Sequence, residues 1–532
     1  MRNYVTTITV SLLLGVSSFA VASEEARLTV RLDQPGPTIE RNVYGHFIEH
    51  LGRAIYDGLW VGPDADIPNT RGWRNDAVEA LKAIRIPVLR WPGGCFADTY
   101  NWRDGIGPIK ERPSRVNILW GEIEEPNTVG THEYFDLIEQ LGAQAYINGN
   151  LGTGSAREMA EWVEYMTSSS PHGLAKERQA NGRTEPFELH HFGIGNESWG
   201  CGGSMTPQYY TSLYKQYSTF LRTPWTYPIK TQWIASGGHG YGDDVKTGGL
   251  TEWTDYLTKN IQPDFLLGFN AVSFHYYTHP RGTALSEKGA AEGFPESEWM
   301  STLSNTLRMD DYLAENRAVM DRNDPENTIA LYVDEWGAWY DPTPGTNPAF
   351  LEQAVTLRDA LVTGLNFHIF HRHAERVKMT SPAQMVNVVQ APILTQGKDI
   401  ILTPTYYAYK LHVPFQDSTR LSTTLETSPQ YSLGDQSIPA VSATAAMSEE
   451  HGLVIGLINT DPNNPHKVRL GLTGSNFGHR LKGQLLTAEL MDSKNTVAQP
   501  MAVAPKELIV DIAANSSMIE LPPKSMMVLR QR

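Results

Sequence analysis

From about residue 43 to residue 396, short apolar runs that end in small or polar residues alternate with amphipathic stretches, and this repeat constrains the fold more than any other feature of the chain. Candidate strands fall at 43–48, 87–90, 145–149, 191–195, 232–235, 272–276, 331–334 and 385–389. Between them, stretches such as 75–84, with Ala77, Leu81 and Ile84 at helical spacing, and 131–141, 157–167 and 352–363 predict helices. Eight βα units at a mean step of about 49 residues predict a (β/α)8 TIM barrel with sizeable loops, whose chemistry should sit at the C-terminal ends of the strands.

After about Tyr409 the pattern becomes short runs punctuated by Ser, Thr, Pro and Gly, as in a C-terminal β-sandwich of jelly-roll type, and residues 27–32 read as a strand that joins it. The expected division is 1–22 signal peptide, 23–42 N-terminal strand of the sandwich, 43–409 catalytic barrel and 410–532 sandwich. Residues 1–22 carry Arg2, an apolar stretch and Ala20-Val21-Ala22, which predicts export to the periplasm or the extracellular space. The other reading, a membrane anchor, asks for roughly 20 apolar residues, and this run is short for that. With 44 basic against 59 acidic residues and no basic run, nucleic acid is a poor partner. Two cysteines, Cys95 and Cys201, can form one bridge or stay apart.

Two carboxylates end strand-like runs: Glu197 in G-I-G-N-E-S-W-G and Glu335 in L-Y-V-D-E-W-G, on the predicted fourth and seventh strands. Either alone could be a solvated loop residue. Together, at one barrel mouth, they can flank a single bond, as glycoside hydrolysis requires: one acid protonates the leaving oxygen while the other carboxylate faces the anomeric carbon. Their mutual repulsion would keep one protonated while the other is ionised.

The motifs Y-G-H-F-I-E-H-L-G-R-A-I-Y from Tyr44, V-L-R-W-P-G-G-C-F-A-D from Val88, G-N-E-S-W-G-C-G-G from Gly195 and V-D-E-W-G from Val333 resemble those of family 51 glycoside hydrolases, the α-L-arabinofuranosidases. H-Y-Y-T from His275, H-I-F-H-R-H from His368, N-V-V-Q-A from Asn387 and T-P-T-Y from Thr403 extend the likeness over the whole barrel. The resemblance implies an exo-acting retaining enzyme that releases terminal arabinofuranose from arabinan or arabinoxylan fragments, with Glu335 as nucleophile and Glu197 as acid then base. It further implies sugar contacts from Glu49, Cys95 and Gln390, a hydrogen bond from Asn196 to the 2-hydroxyl, Tyr277 orienting the nucleophile, Arg90 holding it ionised, and Trp120 on a loop over the pocket. In the plainer reading Trp120 only packs on the rim. A homo-oligomer is one assembly the likeness leaves open, and no cofactor is implied. Rival readings are a glycosidase for β-D-xylosides or β-glucans, and a carbohydrate-binding barrel without catalysis.

His46-Phe47-Ile48-Glu49-His50 spells H-x-x-E-H, a metallopeptidase signature that requires a helix. On a strand the two imidazoles lie about 13 Å apart, too far for one zinc. His368, His371 and His373 form a second cluster, read as packed core histidines. No catalytic metal is expected.

Overall fold

The computed structural model describes residues 25–240, 249–264, 266–282, 288–474, 480–513 and 515–532; the predicted signal segment lies outside these. Eight parallel strands build one sheet: β1 (His46–Phe47), β2 (Val88–Trp91), β3 (Gln144–Gly149), β4 (Leu189–Ile194), β5 (Gln232–Ala235), β6 (Ala271–Thr278), β7 (Ala330–Ala338) and β8 (Val377–Pro382), hydrogen-bonded in chain order. The Thr380 hydroxyl donates to the Val43 carbonyl at 2.6 Å, and the Met385 N–H to the Phe47 carbonyl at 2.9 Å, which brings β8 back to β1 in a nearly closed barrel. The strands are almost wholly buried: in β6, Ala-Val-Ser-Phe-His-Tyr-Tyr-Thr is covered on both faces, as expected of parallel strands between a filled interior and a ring of helices. Val88, Tyr146, Ile234, Ala271, Tyr332 and Met379 form one of the buried apolar clusters, drawn from six of the eight strands.

Two expected strands are corrected. Residues 41–44 form a 3-10 turn, so only His46–Phe47 pairs in β1. The eighth strand is Val377–Pro382 rather than 385–389. Residues 385–389 are buried and mostly apolar, but Asn387 and Val389 take φ of 61° and 51°, and the segment is a loop beyond the strand. Apolar burial is common to a core strand and a buried loop, and periodicity cannot separate them over five residues.

The C-terminal region is a nine-stranded sheet in the order Lys506–Asp511, Arg480–Leu486, Ser525–Arg530, Gly452–Asn459, Val441–Ser448, Ser418–Thr427, Ala26–Ile39, His466–Thr473 and Ser516–Leu521. Ala26–Ile39 runs antiparallel to Ser418–Thr427 and parallel to His466–Thr473. The two edge strands come back into contact around a core that includes Leu453, Ile455, Leu470 and Leu529. Between barrel and sheet lies α1 (Leu357–Arg372), buried from Leu357 to His371 because it packs on β7 and on strands of the sheet. No helix among the described residues is long and apolar enough to cross a membrane.

This interface holds His368, His371 and His412, all fully buried. The His368 and His371 Nδ1 atoms pair with the Ser442 and Thr444 hydroxyls, His371 Nε2 pairs with the Tyr44 hydroxyl, and His412 Nδ1–H donates to the Ala408 carbonyl. Burial pushes all three pKa values down, that of His412 to about 4. The unfolded chain therefore takes up protons below about pH 6.5 that the folded protein refuses, and stability falls as pH drops from there toward 4. His412→Gln, which keeps a donor for Ala408, should relieve roughly 2 kcal/mol of the stability lost between pH 7 and pH 5. Denaturant unfolding of both proteins at the two pH values measures this, and parallel losses would refute it.

Candidate active site

Glu335 lies on β7, where the pairing with β6 slips by a residue between Ser273 and His275, so that His275 faces Glu335. Such a bulge re-aims side chains, and both Asp334 and Glu335 reach the charged cluster. Arg90, from β2 and fully buried, donates to Glu335 Oε1 at 2.8 Å, to the Asp334 carbonyl at 3.0 Å and to Asn196 Oδ1 at 2.5 Å. The Tyr277 hydroxyl donates to Glu335 Oε2 at 2.9 Å. Each oxygen of the Glu335 carboxylate therefore has a fixed donor.

Glu197 follows β4 at φ 40°, a strained left-handed backbone for a residue with a side chain. Its loop is tied down from β2: Asp98 accepts from the Leu151, Gly152 and Asn196 N–H groups at 2.8–2.9 Å. Burial raises Asp98 to about 7, against those three donors. His275 pairs through Nδ1 with Glu197 Oε1 at 2.9 Å and through Nε2 with Asp334 Oδ1 at 3.2 Å. Burial alone would discharge His275, but Glu335, Asp334 and Glu197 outweigh it and hold the ring protonated, with its pKa near 10. Burial, helped by the charge of Glu335, raises Glu197, and the hydrogen bond from His275 opposes this. One carboxylate oxygen of Glu197, one of Glu335 and a ring nitrogen of His275 all lie within 4.8 Å of one another.

Glu49, just beyond β1, is bound on both oxygens: Oε1 accepts from the Phe96 N–H at 3.0 Å and the Trp120 indole at 2.9 Å, and Oε2 from the Gln384 amide at 2.9 Å. Burial, then repulsion from Glu335, pushes Glu49 up to about 7. Trp120 sits on the loop between strands Arg115–Asn117 and Ile123–Glu125. Gly93 and Gly94 let the backbone pass close to both acids. A Cβ on Gly94 would stand 2.7 Å from Glu335 Oε1, and one on Gly93 2.7 Å from Glu49 Cγ. Cys95 and Cys201 are joined in a disulfide beside Glu197, which settles the choice the sequence left open.

Glu49, Arg90, Cys95, Trp120, Asn196, Glu197, Tyr277 and Glu335 thus converge at the C-terminal mouth. Gln390 stands differently: it is fully buried, its Oε1 accepts from the Ala338 N–H at 2.5 Å and its Nε2 donates to the Asp359 carbonyl and Thr363 hydroxyl, so it braces the end of β7. Sequence reasoning gave no role to His275, Asp334, Asp98 or Gln384. The first could have been found, since it lies two residues from Tyr277 on one strand and shares its face. In the H-x-x-E-H segment, His50 pairs through Nδ1 with Glu125 at 2.8 Å and through Nε2 with the Trp91 indole at 3.1 Å, so both ring nitrogens have protein partners. A cavity of about 930 Å³ lined by residues such as Arg85, Pro87 and Gln144 lies toward the N-terminal ends of the strands and includes neither glutamate.

Tyr277→Phe removes a hydrogen bond to a carboxylate worth about 1.5–3 kcal/mol. If Tyr277 orients Glu335 for chemistry, kcat/KM should fall roughly ten- to hundredfold with little change in melting temperature. Unchanged kinetics would leave the bond without a functional role.

Residues 80–284 match the family model described as α-L-arabinofuranosidase 1 domain, and residues 334–525 match the α-L-arabinofuranosidase C-terminal domain. A Bacteroides ovatus protein named intracellular exo-α-L-arabinofuranosidase is 41% identical over 520 residues, covering 97% of each chain. The solved family 51 arabinofuranosidase of Xanthomonas axonopodis pv. citri superposes with a TM-score of 0.90 at 45% identity, over 96% of this chain and all of that one. The α-L-arabinofuranosidase of Thermotoga maritima, solved with arabinose, gives 0.81 at 27% identity, over 95% and 99%. The Bacteroides relative overturns the expectation of export: a protein alike over 97% of its length is named intracellular. The apolar stretch at 8–22 is interrupted by Ser and Thr, and its small-residue end is a compositional pattern that many N-termini share. The chain belongs to the family 51 α-L-arabinofuranosidases.

Proposed function

We propose that the chain is an exo-acting, retaining α-L-arabinofuranosidase that removes terminal arabinofuranose from arabinan or arabinoxylan fragments. The observation that carries this reading is the approach of Glu197 and Glu335 to within 4.8 Å, oxygen to oxygen, across the barrel mouth. Retaining glycosidases hold their carboxyl groups about 5–5.5 Å apart, whereas inverting ones need about 6.5–9.5 Å to admit a water. The two environments support opposite roles. Arg90 and Tyr277 each hydrogen-bond one oxygen of the Glu335 carboxylate, which fixes its position as nucleophile. Burial and the neighbouring charge favour the protonated form of Glu197, and His275 orients it by donating to Oε1, which leaves Oε2 to carry the acid proton.

In the first step a Glu335 oxygen bonds to the anomeric carbon as the glycosidic C–O bond breaks, and Glu197 passes its proton to the departing oxygen. The resulting glycosyl ester removes the charge of Glu335, so the repulsion that added to burial in favouring protonated Glu197 disappears. Glu197 then takes a proton from water, the water oxygen bonds to the anomeric carbon, and Glu335 leaves as carboxylate; two inversions give net retention. Asn196, fixed by Arg90 and by Asp98, bonds the 2-hydroxyl in this reading, and Glu49, Trp120 and Cys95 supply further contacts to the furanose.

Purified protein offered aryl α-L-arabinofuranoside and aryl β-D-xyloside should hydrolyse the first; turnover of only the second would overturn the substrate. Glu335→Ala should lose activity on every leaving group, roughly 10^6-fold, the scale for removing a covalent nucleophile. Glu197→Ala should lose about 10²–10⁴-fold on leaving groups that need a proton, yet form the glycosyl-enzyme normally from a dinitrophenyl glycoside. Because the acid must be protonated, wild-type activity falls as pH rises through the Glu197 pKa. That alkaline limb should vanish in Glu197→Gln, and a limb that persists would assign the acid elsewhere.

A further inference from the structure

The disulfide lies against the acid. Cys95 follows β2, Cys201 follows β4, and the Cys201 sulfur is 3.6 Å from Glu197 Oε2, the oxygen that His275 leaves open. The two sulfurs and one oxygen of Glu197 all fall within 4.8 Å of one another; Cys201 is exposed, and Cys95 and Glu197 are part-buried. We propose that Cys95, Cys201 and Glu197 become, once the disulfide is reduced, a binding site for a soft divalent cation such as zinc, which stops catalysis by capturing the acid carboxylate. The blocking effect rests on the role given to Glu197 above; the site itself does not.

The chemistry balances with a small thiol, RSH, as reductant. Two RSH supply two electrons and two protons, giving Cys95–SH, Cys201–SH and RSSR. Zinc then binds both sulfurs as thiolates and releases two protons. Tetrahedral zinc holds thiolates at about 2.3 Å, so its two sulfurs stand about 3.8 Å apart. Severed sulfurs reach that separation by side-chain rotation, with the Cα atoms remaining near their present 5.5 Å. Glu197 supplies the third ligand and solvent the fourth. Two thiolates and a carboxylate are a ligand set that suits zinc. A second group of ligand atoms, from Glu197, His275 and Glu335, also lies within 4.8 Å, but its imidazole is held protonated and its Glu335 oxygens are engaged by Arg90 and Tyr277.

Full-length protein is reduced with dithiothreitol, desalted without oxygen and titrated with cobalt(II). One equivalent should produce the near-ultraviolet thiolate-to-cobalt band, which zinc displaces and which Cys201→Ser lacks. With zinc present, the reduced wild type should lose about 10²-fold or more in hydrolysis of an arabinofuranoside whose leaving group needs protonation. A chelator should restore it, and the oxidised enzyme should be indifferent to zinc. A bridge that excess dithiothreitol leaves closed, absence of the band, or a band retained in Cys201→Ser overturns the site. Equal inhibition of the oxidised enzyme transfers the metal to Glu197, His275 and Glu335, and a band without inhibition overturns the blocking effect. The band is read without substrate, so a metal-free enzyme that hydrolyses no arabinofuranoside fails the functional reading while the band still decides the site.

Discussion

The guanidinium of Arg90, buried beneath the barrel mouth, is the contact on which the rest of the site depends. It links β2 to β7 through Glu335 and the Asp334 carbonyl, and to the loop after β4 through Asn196, while its face lies over the Phe47 ring at 4.5 Å. A buried charge is tolerated only when paired and hydrogen-bonded, and removing one partner typically costs about 3–5 kcal/mol. Arg90 and protonated His275 stand against Asp334, Glu335 and, in turn, Glu197 and Glu49. Because the members come from β1, β2, β4, β6 and β7, the closed barrel is what brings them to one point. The apolar residues that fill the barrel around the cluster leave water little part in screening it.

The two carboxylates are held in different ways. Both oxygens of Glu335 have fixed donors, from Arg90 and Tyr277. Glu197 has one strong donor, His275, and a second oxygen that faces the cysteines. A nucleophile needs a fixed lone pair and a stable charge. In the mechanism proposed above the acid later acts as base and must exchange its proton with the outside, a role that suits the less enclosed of the two. The same difference in enclosure underlies the proposal that Glu197, rather than Glu335, is open to a metal ligated by the two cysteines.

The barrel, the attached sheet and the approach of the Glu197 and Glu335 carboxylates were legible in the sequence because each leaves a strong local signal: apolar period, punctuation, and carboxylates among small residues at strand ends. The position of the eighth strand was not, since residues 385–389 carry the composition of a core strand but serve as a buried loop. The alliance of Asp334 with Glu335 was hidden by alternation, which sends neighbouring side chains to opposite faces unless a bulge intervenes, and bulges have no reliable sequence mark. The likeness implies a sugar contact for Gln390, whereas in the folded chain its amide pairs with Ala338 and Thr363. The pairing of Cys95 with Cys201, 106 residues apart, needed the third dimension.

The attached sheet acts on the site through α1, which lies against β7 on one side and the sheet on the other. The close fit is set by small residues: a Cβ on Gly364 would stand 2.3 Å from Met526 Cε, and one on Gly456 2.8 Å from His368 Nε2. Gln390 donates through Nε2 to the first turns of the same helix, at the Asp359 carbonyl and the Thr363 hydroxyl, and its Oε1 accepts from the N–H of Ala338, three residues beyond Glu335. A continuous series of packed and hydrogen-bonded groups thus runs from the sheet through the helix to the end of the strand that carries Glu335. The attached sheet therefore braces, through this helix, the strand that carries Glu335.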